Sequence, residues 1–294
     1  MRPAGKIEVP SAWENLRFSA VGGTILVVGA TDTGKTTFAR YLYHRLGAHH
    51  ERLAFVDGDI GQATLGPPTT MTLALSESHD DGFPPGGCRF RAFVGDISPC
   101  AHMLPTVVAA HKLVQKAREE GATAIVFDTT GLVAPSHGGG ALKRALVDLL
   151  RPEIVVALQR GSELEHLLVP LRRGHRTRVI DRPVVEAVQR RDVEARQKHR
   201  AQQFRRSFET AETLAIDWFD LAVIPAPSFT HHRLVALEDK AGFALALGIV
   251  TGIERSRHTV ELRTPLCSLE EVDALHVGDL AVDPHTFRDR RLCC

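Results

Sequence analysis

The chain has 294 residues, 44% of them hydrophobic, and a formal net charge of +1 that conceals a late cluster of arginines. That length supports one large domain plus a smaller one around a substantial core. Five cysteines without C-x-x-C spacing exclude a zinc-ribbon site and a disulfide framework, and no apolar run approaches the roughly 20 residues that cross a bilayer.

With no apolar signal-type stretch after the start, the expected setting is a reducing cytoplasm without membrane attachment. The closing pair Cys293-Cys294 reads as a frayed terminus. Within residues 1–20, Ser11-Ala12-Trp13-Glu14-Asn15-Leu16 is a short helix candidate with Ser11 as N-cap, and Trp13 and Leu16 are expected on the sheet edge.

Thr24-Ile25-Leu26-Val27-Val28 is a short β-branched run after Gly22-Gly23 and predicts a buried parallel strand. It leads into Gly29-Ala30-Thr31-Asp32-Thr33-Gly34-Lys35-Thr36, which fits G-x-x-x-x-G-K-[ST]. Thr37 to Leu46 then has helical spacing and stops at Gly47. A strand, a glycine loop and a helix N-terminus make an anion cradle of converging N–H groups with a favourable dipole. The cradle, Gly29 through Thr37, is expected to bind a nucleoside triphosphate. Lys35 would reach the β- and γ-phosphates and the Thr36 hydroxyl would ligate Mg²⁺.

Leu53-Ala54-Phe55-Val56 predicts the second strand, ending in Asp57-Gly58-Asp59-Ile60-Gly61-Gln62. Acids at a strand's C-terminal end sit where open α/β sheets place ligands. Such a carboxylate can hold a magnesium water or take a proton from a nucleophile; Asp59 is the first choice for the base and Asp57 for support. The alternative is a turn whose aspartates only satisfy backbone N–H groups. Gly66-Pro67-Pro68 is a rigid stretch before Met71 to Leu75, and residues 76–88 make a polar loop.

Arg89 to Val94 alternates like a strand, and a helix is expected from about His102 to Glu120 with Leu104, Val107, Val108, Leu113, Val114 and Ala117 buried. Ala124-Ile125-Val126-Phe127-Asp128 resembles a Walker B strand whose Asp128 would face the loop and hold the magnesium shell. After Thr129-Thr130-Gly131-Leu132-Val133, the run His137-Gly138-Gly139-Gly140 opens a helix to about Leu150. Those glycines admit either close backbone approach to a substrate phosphate or a flexible turn.

Glu153 to Gln159 is another buried strand, followed by Gln159-Arg160-Gly161-Ser162 where a guanine reader would stand in GTP switches, so ATP or loose base selectivity is expected. A helix over Glu163 to Leu171 and a strand over Arg176 to Ile180 complete an alternating pattern, hence a mostly parallel, doubly wound sheet with helices on both faces. Residues from about 183 to 215 predict an arginine-rich helix with Val184, Val188, Phe204 and Phe208 too sparse for a core helix. It reads as a solvated face or, beside a triphosphate site, as a mobile lid. Phe219 to Ile224 is expected to close the first domain (21–226), with Pro225-Ala226-Pro227 as linker. A small β-rich module (227–294) would follow, with strands at Arg233–Glu238, Ala244–Ile253, Thr259–Arg263 and Asp279–Val282. Its histidines show no metal-ligand spacing.

Together these residues resemble the polynucleotide 5′-hydroxyl-kinase family, which includes the kinase subunit of the pre-mRNA cleavage machinery, the nucleolar ribosomal-RNA-processing kinase and shorter prokaryotic members. Gly29–Thr37, Val56-Asp57-Gly58-Asp59-Ile60-Gly61-Gln62 with Gly66-Pro67-Pro68, and Thr129 to Val133 carry the resemblance. Ala157-Leu158-Gln159 with Glu163-Leu164-Glu165, Phe204-Arg205-Arg206-Ser207-Phe208, and Gly248-Ile249-Val250 with Thr264-Pro265-Leu266 extend it.

The resemblance implies transfer of the ATP γ-phosphoryl to the 5′-hydroxyl of RNA or DNA, with ATP and Mg²⁺ as cofactors. By position, Lys35 and Thr36 match the phosphate and magnesium residues, and Asp59 the general base. Asp32 matches the loop contact to the lysine, and Arg200 and Arg205 match the lid arginines. Gln62, Thr130, Gly131 and Leu132 fall on the substrate side, and Thr36, Asp59 and Asp128 on the metal side. Family members often carry Trp where Leu132 stands; leucine forgoes the roughly 1–3 kcal/mol of a base–aromatic stack. About 20 residues precede the first strand, so the eukaryotic members' N-terminal β domain is not expected and no protein partner is implied.

Two rivals have their own requirements. A switch of the metallocentre-assembly type would need guanine selectivity and metal-binding Cys/His clusters. A catalytically silent RNA-processing scaffold would not need Lys35, Thr36 and Asp59 intact.

Overall fold

The computed structural model describes residues 13, 22–76, 82–185, 188 and 190–292. The expected helix at 11–16 is covered only at Trp13. Part of the 76–88 loop, three positions of the 183–215 stretch and the Cys293-Cys294 pair lie outside the described residues.

Seven strands form one sheet in the order β4-β3-β2-β5-β1-β6-β7. These are β1 (Gly23–Gly29), β2 (Leu53–Asp57), β3 (Thr70–Leu75), β4 (Arg89–Phe93), β5 (Ala124–Asp128), β6 (Ile154–Gln159) and β7 (Arg178–Pro183). Strands β2, β5, β1, β6 and β7 run parallel and β3 is antiparallel to β2. All of β2, β5 and β6 are buried, as a parallel sheet covered on both faces requires; this explains their unbroken Val/Ile/Leu/Phe runs.

The helices are α1 (Lys35–Gly47), α2 (Met103–Glu119), α3 (Gly139–Leu150) and α4 (Glu165–Arg173). Trp13, expected on the sheet edge, is buried. It meets α1, edge-on to Phe38 at 5.0 Å and tilted on Tyr41 at 5.5 Å, and Tyr41 Oη donates to its carbonyl. Along α2 the expected stripe is partly wrong. Leu104 and Val108 are 80% and 56% exposed, whereas Thr106, Ala109, Ala110, Leu113, Val114 and Ala117 are buried. The small residues at 106, 109 and 110 set the packed face by allowing close approach, which hydrophobicity alone does not reveal.

The arginine-rich stretch departs further from expectation. Its helix, α5, spans only Val193–Ser207, capped by Asp192 Oδ1 accepting from Ala195 N at 2.7 Å. Glu212–Asp217, its first four residues expected within the helix, is strand β8, and Ala222–Ile224 is β9. These join β10 (Arg233–Glu238), β11 (Ala244–Glu254), β12 (Thr259–Thr264), β13 (Ala274–Val282) and β14 (Asp289–Arg291). The order is β14-β13-β10-β11-β12-β8, with β9 parallel on β13. Phe219 to Ile224 therefore does not close the parallel sheet. The six residues of β8 pair with β12 from Thr259↔Asp217 to Thr264↔Glu212, a long-range ladder that overrides the local helical preference.

This second sheet is antiparallel apart from β9 and buries apolar side chains on both faces. Leu234 and Ala236 point to one cluster with Phe93, Phe204, Phe208 and Phe287, and Val235 and Leu237 to another with Phe229, Val250 and Leu275. The two phenylalanines that looked too sparse are the buried anchors of α5. The β10–β11 turn is held by its own residues: Asp239 Oδ1 accepts from Ala241 N and Phe243 N, and Gly242 takes φ 71°.

By internal contacts the chain forms two units. One holds residues 1–59, 72–89 and 110–190, and the other 60–71, 90–109 and 191–294. The expected division at Pro225-Ala226-Pro227 differs from this one, because segments from the middle of the chain and α5 group with the antiparallel sheet.

Candidate active site

The loop between β1 and α1 closes on its own backbone. Lys35 Nζ and Thr33 Oγ1 both donate to the Ala30 carbonyl, at 2.8 and 2.9 Å, and Arg160 Nη2 donates to the Asp32 carbonyl. Asp32 (φ 56°) and Gly34 (φ 81°) take left-handed conformations to make the turn. At Gly29 an added Cβ would stand 2.5 Å from Thr33 Oγ1 and 2.7 Å from the Leu158 carbonyl, so only glycine fits. No side chain caps the N-terminus of α1 and no acid lies in its first turn, which leaves its N–H groups and dipole to an anion.

Parallel register brings the acids to one level. Asp57 at the end of β2 is the Cα partner of Asp128 at the end of β5, and Val27 of β1 is at the same height. The Thr36 hydroxyl donates to Asp128 Oδ2 at 2.6 Å. Gly58 N donates to the Asp128 carbonyl at 2.8 Å, and a Cβ at Gly58 would collide with the Phe127 ring. The backbone thus turns tightly over β5 before Asp59, whose N–H donates to Asp57 Oδ1 at 3.3 Å.

Burial pushes the Asp128 carboxyl up to about 7. The neighbouring Asp57 and Asp59 charges add to this, while Lys35 and the Thr36 hydrogen bond oppose it. Its Oδ1 is buried without a hydrogen-bond partner. Arg40 of α1 is held below the usual guanidinium range by burial, against the pull of Asp57 and Asp128. A hydroxyl, a buried carboxylate with an unpartnered oxygen and a second acid nearby are hard oxygen donors, and they fit Mg²⁺.

After β5 the chain folds back onto the loop. Thr129 Oγ1 donates to the Val27 carbonyl at 2.8 Å and Leu132 N to Thr130 Oγ1 at 3.4 Å. Gly131 is pressed against the loop, where a Cβ would lie 2.5 Å from Thr31 Oγ1 and 2.9 Å from Thr31 Cα. Within the glycine run at the start of α3, Gly139 makes a close-packed contact. A Cβ at Gly139 would stand 2.5–2.7 Å from the Val133 backbone.

Sequence reasoning missed Lys143. It is 1% exposed, its Nζ donates to the Thr130 carbonyl at 2.7 Å and to Thr130 Oγ1 at 3.4 Å. Burial, then repulsion from Lys35, pulls its ammonium down to about 7 against the attraction of Asp59 and Asp128. A signal was present: Gly139, Leu142, Lys143, Leu146 and Leu150 occupy one buried stripe of α3, so the lysine stands at a core position.

Gln159, where a base reader could stand, is committed to structure: its amide donates to Glu165 Oε1 and Asp181 Oδ2 and accepts from Leu164 N. The first unit thus brings together Gly29 through Thr37, Asp59, Asp128, Thr130, Gly131 and Leu132. Gln62, Arg200 and Arg205 belong to the second unit. There Gln62 Nε2 donates to the Gly61 carbonyl at 2.8 Å and to the Arg196 carbonyl of α5 at 3.4 Å. Arg200 Nε pairs with the buried Asp289 Oδ1 at 2.8 Å, and the Arg205 guanidinium lies 5.7 Å from the Phe287 ring centre.

The family model described as the mRNA cleavage and polyadenylation factor CLP1 P-loop matches residues 29–210. The chain belongs to this family. The CLP1 P-loop match opens at Gly29, the first residue of the loop, and runs past the end of α5. Among similar curated proteins, the polyribonucleotide 5′-hydroxyl-kinase of Methanocaldococcus jannaschii is 30% identical over 216 residues, 74% of this chain and 58% of that protein. The protein of the same description from Pyrococcus abyssi is 25% identical over 316 residues, 88% of this chain and 87% of the relative. The chain therefore spans about three-fifths of the first relative and most of the second. Among solved structures, a chain of the Clp1p–Pcf11p complex superposes with a TM-score of 0.66 at 13% identity, covering 88% of this chain and 74% of that one. That likeness concerns the CLP1-type fold: a mostly parallel α/β P-loop sheet accompanied by a β-rich part.

Proposed function

We propose that this member of the CLP1 P-loop family is an ATP-dependent polynucleotide 5′-hydroxyl kinase that transfers the γ-phosphoryl group to the 5′-hydroxyl of RNA or DNA. The carrying observation is the Thr36–Asp128 hydrogen bond at the tip of β5, with Asp59 two residues beyond the Asp57 that shares its register. The descriptions of the archaeal relatives favour RNA as acceptor.

The loop amides and Lys35 hold the β- and γ-phosphates. Thr36 and Asp128, with Asp59 beside them, would hold Mg²⁺, which supplies charge neutralisation to those phosphates when bound. Asp59 accepts the proton of the incoming 5′-hydroxyl as its oxygen bonds to the γ-phosphorus, and the bond to the β-phosphate oxygen breaks to release ADP. Thr130, Gly131 and Leu132 face the acceptor's 5′ end. The family resemblance assigns the neutralising of charge on the transferring group to Arg200 and Arg205 of α5. No helix among the described residues is long and apolar enough to cross a membrane.

The deciding experiment incubates the protein with γ-labelled ATP and 5′-hydroxyl oligonucleotides of RNA and of DNA. End-labelled product is expected, and RNA is expected to be the better acceptor. Bound nucleotide that never labels an oligonucleotide would support the silent scaffold instead.

A further inference from the structure

α3 grips the turn after β5 at two points one helical turn apart. At its start, Gly139 packs on the Val133 backbone so closely that no Cβ fits. Four residues on, Lys143 reaches across to the Thr130 carbonyl. Between these grips, Gly131 is pressed onto Thr31 of the phosphate loop. A lysine 1% exposed is an expensive way to satisfy one carbonyl, because removing an ammonium from water costs several kcal/mol. Packing alone would favour an apolar side chain here. Lys143 lines a cavity of about 180 Å³ together with Val28, Val147, Val155, Leu167 and Leu168.

We propose that Lys143 is a positioning residue for phosphoryl transfer: its ammonium pins the Thr130 carbonyl and so fixes Thr130 and Gly131 against the phosphate loop, where the acceptor's 5′ end is presented. This rests on the kinase reading for its catalytic consequence, but the pinning itself does not. Lys143 touches neither the nucleotide loop nor a metal donor through any hydrogen bond of its own. Its effect is expected on the acceptor side: a misplacement of about 1 Å can cost 10²-fold in rate.

The test compares Lys143→Met, which keeps the volume and removes the donor, with Lys143→Ala, which also enlarges the cavity. For Lys143→Met the expected results are a melting temperature no lower than that of the parent protein and ATP affinity within about twofold. Its kcat for oligonucleotide phosphorylation should fall by about 10²-fold, and amide hydrogen exchange should be faster in the peptide spanning 129–133. Lys143→Ala should show the same kinetic and exchange defects with a lowered melting temperature. Unchanged kcat and unchanged exchange in Lys143→Met would overturn the proposal, as would a fall in melting temperature with parallel loss of ATP binding, which marks a merely structural lysine. If the parent protein labels no oligonucleotide, the kinase reading fails, while the exchange comparison still decides whether Lys143 pins the turn.

Discussion

The Thr36 hydroxyl donates to Asp128 Oδ2 at 2.6 Å, joining the first turn of α1 to the tip of β5 across 92 positions of sequence. The other oxygen of the same carboxylate is buried and unpartnered. A buried carboxylate oxygen in this state is costly to the fold.

Asp128→Asn is therefore expected to stabilise the apo protein while destroying its function. The folded pKa of about 7 lies above the ordinary aspartate value of 3.8, so protonation favours the native state. That contribution is full below about pH 4 and is lost as the pH rises towards 7. Relative to the parent, the asparagine variant should gain on the order of a few kcal/mol at pH 8 and little at pH 4. Denaturant titrations at the two values check this, and equal pH dependence in the two proteins would refute it.

Asp59→Asn should lower phosphorylation of a 5′-hydroxyl oligonucleotide by about 10²–10⁴-fold, the usual worth of general-base help. ATP binding should stay near normal, because the loop and Lys35 are untouched. Single-turnover rates alongside calorimetric ATP titration separate the two quantities. An unchanged rate would remove Asp59 from the base's role.

Lys35→Met should abolish transfer and also weaken ATP binding. It deletes the charge that meets the phosphates and the 2.8 Å bond to the Ala30 carbonyl that shapes the loop. Binding isotherms with ATP and ADP check this, and parent-like affinity for both would contradict it.

Gly131→Ala probes the contact between the turn and the loop. Its Cβ would meet backbone atoms of Thr31 at 2.9 Å, so the backbone must shift. Overpacking of this kind costs about 1–3 kcal/mol. A lower melting temperature should accompany weakened nucleotide binding, since the displaced partner is the loop itself.

Arg200 and Arg205, which the family resemblance assigns to a lid, should behave differently from one another. Arg200→Ala leaves the Asp289 carboxylate buried without its partner, and breaking a buried pair costs about 3–5 kcal/mol. Arg205 is exposed and stands over Phe287, so Arg205→Ala should leave the melting temperature nearly unchanged. A loss of rate without loss of stability at Arg205 is the cleaner evidence for a lid. Parallel melting curves and kcat values distinguish the two.

Much of the fold was legible because it is locally encoded. Unbroken apolar runs mark strands buried on both faces, and Asp239-Lys240-Ala241-Gly242 states its own turn. The glycine loop likewise carries its torsional demands in its residue types, at Gly29 and Gly34. The arginine-rich stretch was misread for the converse reason. Nothing within Glu212–Asp217 announces β12, which lies some 45 positions further on, and a ladder formed that far away overrules helical spacing.

The sequence by itself determined the glycine loop before α1, the parallel alternation of strands and helices, and the acids that end β2 and β5, since each depends on neighbours within a few residues. Only the tertiary structure decided that Asp57 and Asp128 share one level, that Arg200 is bound to Asp289, and that Lys143 is buried against Thr130. Those are long-range pairings, and burial and electrostatics acquire values only once distant segments are packed together.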